Sequence, residues 1–405
     1  MTVRSTEVGI VGGGPAGAAL AIRLAQRGVE VTLFERLVAP RWRASGVYSS
    51  VLTRGHLLDL GVPKERVTAL IRPIDRMEVI SLRGPRCRLR YQEPFACGID
   101  RVRLETTLLE RAAAAGAVVL EGHAVTRVDR SPGGGWKVDA SGPDGRATWR
   151  ARYLAGADGP GSMVARAEGL ARPVHRLRHA GLTMHRLDPT APASDLPMPA
   201  AMVLGDGWYC GLAAVPGQRT NIGIVTSERY LRQRLARGAR PIDLVSDIVS
   251  RLPSDVRRSA EGRDCDALQV ALPLAHRVAR RAGSAFLLVG DAAGFVDPLS
   301  GEGIHRALVS AEFAADTILD ARTGRPGSGD AWRAYERRMS DRFSAKDVLS
   351  WLLQAFLSRP RLADYALRRL AARDDHRATF GSVLADLEGA RDALRPGFLV
   401  GLLRP

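Results

Sequence analysis

Cysteine is scarce in this 405-residue chain, and its four cysteines lie far apart at Cys87, Cys97, Cys210 and Cys265. None of them has the Cys-x-x-Cys spacing of a zinc knuckle, and their scatter argues against a disulfide framework. We therefore expect reduced cysteines that mostly pack in the interior, and we predict no metal site.

Long apolar runs are also missing, because no stretch approaches the roughly 20 residues that a membrane-spanning helix needs. The first strand-like run starts by Val8, which leaves no room for a signal peptide before it. Apolar residues make up 45% of the chain, an ordinary globular balance. These features predict a cytoplasmic protein.

Lysine is nearly absent, with Lys64, Lys137 and Lys346 the only ones, although the net charge is +16. The arginines are spread along the chain among acidic residues and form no basic stripe, so we expect no nucleic-acid partner. Arginines flank the apolar C-terminal stretches VLSWLLQAFL and PGFLVGLLRP. A peripheral membrane contact therefore stays open, and nothing indicates an oligomeric state.

Glycine, by contrast, is concentrated near the start, in VGIVGGGPAGAAL (residues 8–20). Gly12, Gly14 and Gly17 follow a buried strand pattern and precede a helical one, as in a dinucleotide-binding loop. Such glycines allow the backbone to approach a pyrophosphate at the helix N-terminus. Glu35 ends the next strand and is placed to accept hydrogen bonds from a ribose diol. This pattern does not separate FAD from NAD.

A second glycine-rich segment, LLVGDAAGFVDPLSGEGIHRAL, occupies residues 287–308. Asp291 leaves a buried strand, where a carboxylate needs hydroxyl or amide donors. The PLSGEG stretch then leads into a helix, whose N-terminal amides face outward. A flavin has matching parts, namely a hydroxylated ribityl chain and a pyrimidine edge that becomes anionic on reduction. The two segments would hold opposite ends of one long cofactor.

Together, the first glycine motif, ADG at residues 157–159 and GDAAGFVDPLSGEG resemble the signature motifs of the p-hydroxybenzoate-hydroxylase-like FAD-dependent oxidoreductases. Within that superfamily, the last motif and residues 43–62 are most similar to the geranylgeranyl reductase and monooxygenase branch. The resemblance implies FAD as cofactor, with NADPH or NADH as a transient reductant that has no domain of its own. The implied FAD-binding residues are Gly12, Gly14, Ala16, Gly17, Glu35, Arg36, Arg101, Asp158, Gly290, Asp291, Pro298, Gly301 and Gly303.

The predicted fold class is α/β: a Rossmann-like FAD-binding domain with an inserted antiparallel β-sheet substrate domain and a helical C-terminal region. We expect the FAD-binding domain to be assembled from residues 1–80, 101–168 and 271–325. The substrate domain is expected at residues 81–100 and 169–270, and the C-terminal helices at residues 326–405.

The reaction type is narrowed by departures from the related families. Geranylgeranyl reductases usually carry a cysteine in the segment that matches RASG (residues 43–46), where this chain has Ser45. Flavin-dependent halogenases carry WxWxIP, where this chain has Gly211 and Ala213 in place of both tryptophans. Hydroxylation needs no such side chain, because the flavin and oxygen carry out the chemistry while the protein orients the substrate and excludes water.

We therefore favour an NAD(P)H-dependent monooxygenase that uses molecular oxygen on a small apolar substrate, such as an aromatic, polyketide or isoprenoid-like molecule of secondary metabolism. Reduction of isoprenoid or lipid double bonds is the alternative. Halogenation, and a non-redox scaffold or cyclase with structural FAD, are further alternatives.

Hydroxyl, thiol and imidazole groups near the predicted flavin and substrate segments are candidates for acid–base or binding roles. The candidate catalytic residues are Ser45, Tyr209 and His305. The candidate substrate contacts are Tyr48, His185 and Cys210.

Overall fold

The computed structural model of the chain describes residues 3–91, 93, 95–174, 178–188, 191–192, 196–323 and 330–403. Its strands are β1 (Val3–Val11), β2 (Val31–Phe34), β3 (Tyr48–Ser49), β4 (Ile71–Ser81), β5 (Arg86–Arg90), β6 (Ala96–Ile99), β7 (Val118–Leu120), β8 (Ala124–Arg130), β9 (Trp136–Gly142), β10 (Gly145–Gly156), β11 (Ala171–Arg172), β12 (His179–Leu187), β13 (Met198–Gly205), β14 (Trp208–Val215), β15 (Arg219–Ser227), β16 (Gln269–Ala271), β17 (Arg277–Val278), β18 (Ala282–Gly283) and β19 (Phe286–Leu288).

The α-helices are α1 (Pro15–Ala25), α2 (Thr53–Asp59), α3 (Lys64–Leu70), α4 (Arg101–Ala114), α5 (Met163–Ala167), α6 (Glu228–Ala236), α7 (Pro241–Ser250), α8 (Ser254–Arg257), α9 (Gly303–Arg322), α10 (Ala331–Leu357), α11 (Pro360–Ala371), α12 (Asp374–Leu384), α13 (Ala390–Ala393) and α14 (Pro396–Leu403). Short 3₁₀ turns cover Arg258–Ala260, Gly290–Ala293 and Pro298–Ser300. No described helix has the length and apolar character that crossing a bilayer requires.

The first sheet is built around parallel strands in the order β19, β10, β1, β2, β7. The inner strands are apolar on both sides, as parallel strands covered by helices must be. Helices α1, α4 and α9 pack together beside this sheet. The carboxyl ends of β1, β10 and β19 therefore meet at one edge, where ligands bind in open α/β sheets.

The second sheet has the strand order β16, β12, β15, β14, β13, β4, β6, β3 and is antiparallel except between β13 and β4. Side chains alternate between two covered faces. On β14, Cys210 and Leu212 belong to a core that includes residues of α6 and α7, whereas Ala213 and Val215 pack in a cluster with Val47 and side chains of α11. We call the second of these faces the inner face.

The C-terminal helices connect the two sheets. The Tyr335 hydroxyl on α10 donates to the carbonyl of Leu288 on β19 (2.7 Å), and the Ser81 hydroxyl on β4 donates to Asp364 on α11 (2.5 Å). These contacts complete the predicted α/β fold, which the structure confirms. The second sheet also takes in β3 and most of β4 from the range 1–80, and the predicted boundary between residues 325 and 326 lies outside the described residues.

Replacing Tyr335 with phenylalanine should lower the free energy of unfolding by about 1–3 kcal/mol, because the buried Leu288 carbonyl loses its donor. Tyr335→Ala should cost about 3–5 kcal/mol, since it also leaves a cavity. Chemical denaturation followed by tryptophan fluorescence measures both. Unfolding of Tyr335→Phe at the denaturant concentration of the parent protein would show that this hydroxyl does not hold α10 to the sheet.

Candidate functional site

The first glycine-rich segment is a turn that only glycine can make. Gly12 has φ +104°, and an added Cβ there would lie 2.5 Å from the carbonyl oxygen of Ala157. A Cβ on Gly17 would lie 1.9 Å from the carbonyl oxygen of Gly12. A Cβ on Gly14 would meet nothing within 4 Å, so open space faces this glycine at the start of α1. No side chain caps α1, and its first turn carries no acidic residue, as suits an anion site.

Glu35 lies at the end of β2 beside this turn and is 6% exposed. One carboxylate oxygen accepts from the backbone N–H of Gly13 (2.7 Å) and the other from that of Leu37 (2.9 Å). Each oxygen retains a further lone pair, which can accept from a ribose hydroxyl. The neighbouring Arg36 side chain is exposed.

Asp158 lies next to Ala157 at the end of β10, against the same glycine turn. Its Oδ2 accepts from the backbone N–H of Met163 (2.6 Å), while its Oδ1 is buried without a hydrogen-bond partner. A buried, unpaired carboxylate oxygen is costly unless a donor reaches it, and a cofactor supplies such donors.

The second glycine-rich segment touches the first. Gly290 has φ +57°, and an added Cβ would lie 2.8 Å from the Cβ of Ala16. Gly301 also has positive φ (+67°), and an added Cβ there would lie 2.2 Å from the ring of Tyr48. Between them, Asp297 accepts from the backbone N–H of Leu299 (2.9 Å). Pro298 begins the last turn before Glu302, and α9 begins at Gly303 with open space beside it.

Asp291, in the second glycine-rich segment, is close enough to Arg101 for their charges to interact. Burial raises the pKa of Asp291, and the guanidinium groups of Arg101 and Arg306 oppose that shift. Arg101 donates to the carbonyl of Gly46 (3.3 Å) and pairs with Glu105 (3.2 Å), while its Nε is buried without a partner.

These residues fit FAD. The α1 amides and the open space at Gly14 suit the pyrophosphate, Glu35 suits the adenosine ribose, and Asp291 suits the ribityl hydroxyls. The α9 N-terminus, with Gly301 and Gly303, suits the pyrimidine edge of the flavin.

The comparisons with known proteins agree with this geometry. Residues 5–342 match the family model described as FAD binding domain. The chain belongs to this FAD-binding family. By its family it is an FAD-dependent oxidoreductase.

Two curated relatives and one solved structure show the range of similar proteins. A tryptophan 2-halogenase of Chondromyces crocatus is 26% identical over 372 residues, which cover 86% of this chain and 67% of the relative. A menaquinone reductase of Mycolicibacterium smegmatis is 27% identical over 371 residues, covering 88% and 85% respectively. The fold matches a flavoprotein/dehydrogenase from Cytophaga hutchinsonii with a TM-score of 0.83, 17% identity, and coverage of 99% and 98%.

The side chain of Tyr209 lies on the inner face and joins the second sheet to the second glycine-rich segment. Its hydroxyl donates to Asp297 Oδ1 (2.5 Å), and burial, with the neighbouring Asp297, raises the pKa of Tyr209 well above its usual value. The other oxygen of Asp297 lies 3.6 Å from His179 Nδ1. This contact shows Tyr209 holding the flavin-binding segment, and its catalytic role stays a prediction.

Ser45 and Tyr48 lie on the segment that leads into β3. The Ser45 hydroxyl donates to the carbonyl of Arg43 in its own turn (3.2 Å). The Tyr48 hydroxyl is 2.9 Å from that of Tyr91, and burial raises the pKa of Tyr48 well above its usual value. The ring of Tyr48 therefore reaches Gly301, whereas its hydroxyl is engaged elsewhere.

His305 and Cys210 are both fully enclosed. His305 is 1% exposed, and its Nε2 accepts from Arg342 (2.8 Å) while its ring lies 5.2 Å from that of His56. Burial lowers the pKa of His305 to about 4, which keeps it neutral at pH 7. Cys210 belongs to the core behind the second sheet, so the structure does not bring it to the inner face. The sixth candidate, His185, lies on the inner face beside the ring of Trp42.

Sequence reasoning missed a buried charge cluster made by the C-terminal helices. Lys346 on α10 is 3% exposed, and its ammonium group pairs with Glu302 (2.7 Å) and also with Asp386. Burial opposes ionisation of Asp386, but the cations around it, Lys346 first, lower its pKa. Glu302 immediately precedes α9, so this cluster holds the helix end that we expect to face the flavin. The available signal was that Lys346 is one of only three lysines in an arginine-rich chain.

Replacing Gly14 with alanine should weaken FAD binding at least about tenfold, because the new methyl enters the space expected for the pyrophosphate. The apoprotein should keep its melting temperature, since that methyl meets no protein atom within 4 Å. Gly133→Ala, in a hairpin turn with equally open surroundings, is the matched control. Titration of apoprotein with FAD measures the affinity, and unchanged affinity in Gly14→Ala would contradict this placement of the cofactor.

Replacing Lys346 with methionine should destabilise the protein by about 3–5 kcal/mol, because Glu302 and Asp386 stay buried without their cation. Lys137→Met, which removes an exposed pair with Asp139, should cost less than about 1 kcal/mol. Denaturant unfolding compares the variants. Equal losses of unfolding free energy in both variants would show that the buried cluster stabilises the protein no more than an exposed ion pair does.

Proposed function

We propose that this protein is an NAD(P)H-dependent flavin monooxygenase that hydroxylates a small apolar aromatic, polyketide or isoprenoid-like substrate. The observation that carries the proposal is an open, side-chain-free floor on the inner face. Gly211 and Gly223 pair across β14 and β15. A Cβ added to Gly211 would meet only the methyl of Met202 (3.7 Å) and the carbonyl oxygen of Gly223 (3.8 Å).

This floor lies between the second glycine-rich segment and the segment around residues 43–46, both of which we expect near the flavin. Two residues before Gly211, Tyr209 contacts Asp297 in the second glycine-rich segment. Two residues after it, Ala213 packs in the same cluster as Val47, which follows residues 43–46. The neighbouring positions across the sheet, Thr183 and Met202, carry no charge. A flat apolar molecule suits such a surface.

The chemistry requires little from the protein beyond this surface. When bound, FAD supplies the transfer of electrons from a nicotinamide to molecular oxygen. The chain would hold the substrate flat on the glycine floor and exclude water with the C-terminal helices. The absence of a second dinucleotide motif suits a nicotinamide that binds transiently.

Reduction of an isoprenoid double bond is the second candidate, and the similarity to the menaquinone reductase favours it. Against it stands Ser45, which replaces the cysteine that geranylgeranyl reductases usually carry beside the flavin. Its hydroxyl is held by the carbonyl of Arg43. We therefore rank hydroxylation first.

The test supplies the holoprotein with NADPH or NADH, oxygen and a panel of phenols, aromatic polyketides and polyprenyl quinones. We expect a hydroxylated product that carries an oxygen atom from isotopically labelled O₂. Gly211→Val should lower product formation at least about tenfold while FAD stays bound, because the isopropyl group occupies the floor. Leu212→Val, which points to the opposite face, should keep turnover.

Either of two results would contradict the proposal. One is oxygen-independent reduction of a polyprenyl substrate, which would establish the reductase. The other is full product formation by Gly211→Val, which would show that the substrate binds elsewhere.

A further inference from the structure

His185 lies near the end of β12, on the inner face of the second sheet. A carboxylate from a distant segment of the chain holds it. Its backbone N–H donates to Asp266 Oδ1 (2.9 Å), and its ring Nδ1 lies 2.6 Å from Asp266 Oδ2. Because Nδ1 faces a carboxylate, we assign the ring proton to Nδ1. The Nε2 atom then presents its lone pair, as in histidines that act as general bases.

The Nε2 atom of His185 has no hydrogen-bond partner, although the residue is only 3% exposed. The indole of Trp42 lies beside it, with ring centroids 4.2 Å apart. The indole N–H of Trp42 is likewise buried without a partner. Two rings in contact thus carry one unpaired acceptor and one unpaired donor, the two hydrogen-bonding roles that complement a hydroxyl group.

This pair adjoins both the glycine floor and the flavin segments. His185 aligns with Asn221 on β15, which aligns with Ala213 on β14. Thr183, on the same face of β12, aligns with Gly223. Trp42 directly precedes residues 43–46, and the carbonyl of Gly46 accepts from Arg101.

We propose that His185 and Asp266 form an acid–base dyad that deprotonates a substrate hydroxyl group, with the Trp42 N–H donating to the same oxygen. This rests on the proposed function and adds a substrate class, namely phenols and enols. The substrate O–H bond breaks, an N–H bond forms at Nε2, and the electron pair stays on the oxygen. Asp266 stabilises the resulting imidazolium. An ionised oxygen makes an aromatic ring more electron-rich, which suits hydroxylation.

Other nearby charges are already paired. Arg219, opposite Leu187 at the end of β12, contacts Asp100 (2.5 Å), and Arg186 contacts Asp264 (2.9 Å). Among the described residues of this region, His185 Nε2 and the Trp42 N–H keep hydrogen-bonding capacity that a ligand can use.

The test reads the ionisation of a bound phenol without turnover. Oxidised holoprotein, with no nicotinamide, is mixed at neutral pH with 4-nitrophenol or 2-naphthol, and difference absorbance reports the bound phenolate. His185→Gln should lower the bound phenolate-to-phenol ratio about tenfold. Asp266→Asn should lower it at least as much, because asparagine has one acceptor oxygen for the two N–H groups that Asp266 accepts from. Its NH₂ group facing Nδ1 would move the ring proton to Nε2 and so remove the base. His123→Gln, at a half-buried histidine just before β8, should leave the ratio unchanged, because its ring contacts the carbonyl of Glu121 and glutamine keeps the backbone N–H that donates to Glu35.

FAD absorbance shows whether each variant is folded. If His185→Gln loses FAD, then Asp266→Asn and Trp42→Phe provide the test of the dyad, since each keeps most of the side-chain volume. An unchanged ratio in the folded variants, or failure of the parent holoprotein to bind either phenol, would overturn the dyad. A dyad effect without any hydroxylated product would leave the dyad standing and refute only the monooxygenase.

Discussion

The close approach of three chain segments at one sheet edge is the constraint on which the rest of the structure depends. Gly12 lies against Ala157, Gly17 against Gly12, and Gly290 against Ala16, each at a distance that a methyl group would not permit. This contact brings together the ends of β1, β10 and β19. The α1 amides, Glu35, Asp158 and Asp291 share one cleft as a result.

The C-terminal helices tie this sheet edge to the second sheet. Lys346 neutralises Glu302 and Asp386 behind the start of α9, while Tyr335 and Asp364 connect the same helices to the two sheets. A buried ion pair is costly to form and more costly to break, so it favours one arrangement of these helices. The flavin-binding helix end and the cover of the second sheet are thereby fixed together.

Local motifs carried most of the sequence prediction. Strand, glycine turn and helix are adjacent in the chain, so both glycine-rich segments and the α/β fold could be inferred from residue order alone. Which face of β14 points toward the flavin could not be inferred, because both of its faces are covered and its apolar residues do not alternate with polar ones. The sequence therefore gave no reason to prefer Gly211 over Cys210 as a surface for the substrate.

Long-range partners were the other gap. Lys346 with Glu302, His185 with Asp266, and Tyr209 with Asp297 are far apart in the chain, and no spacing rule joins them. Likewise, His305 follows a flavin motif, but the packing of α10 decides that it is buried against Arg342. Relatives that are 26% and 27% identical are named as a halogenase and a reductase, so membership of the family does not by itself fix the reaction.

The proposed monooxygenase requires that this framework direct reduced flavin to activate oxygen. The most direct measurement mixes chemically reduced, anaerobic holoprotein rapidly with oxygenated buffer and follows the near-ultraviolet absorbance. We predict a transient band that forms before the oxidised flavin spectrum returns and that persists longer when a phenol is bound. Direct return of the oxidised spectrum, with and without the phenol, would contradict the account and favour the reductase.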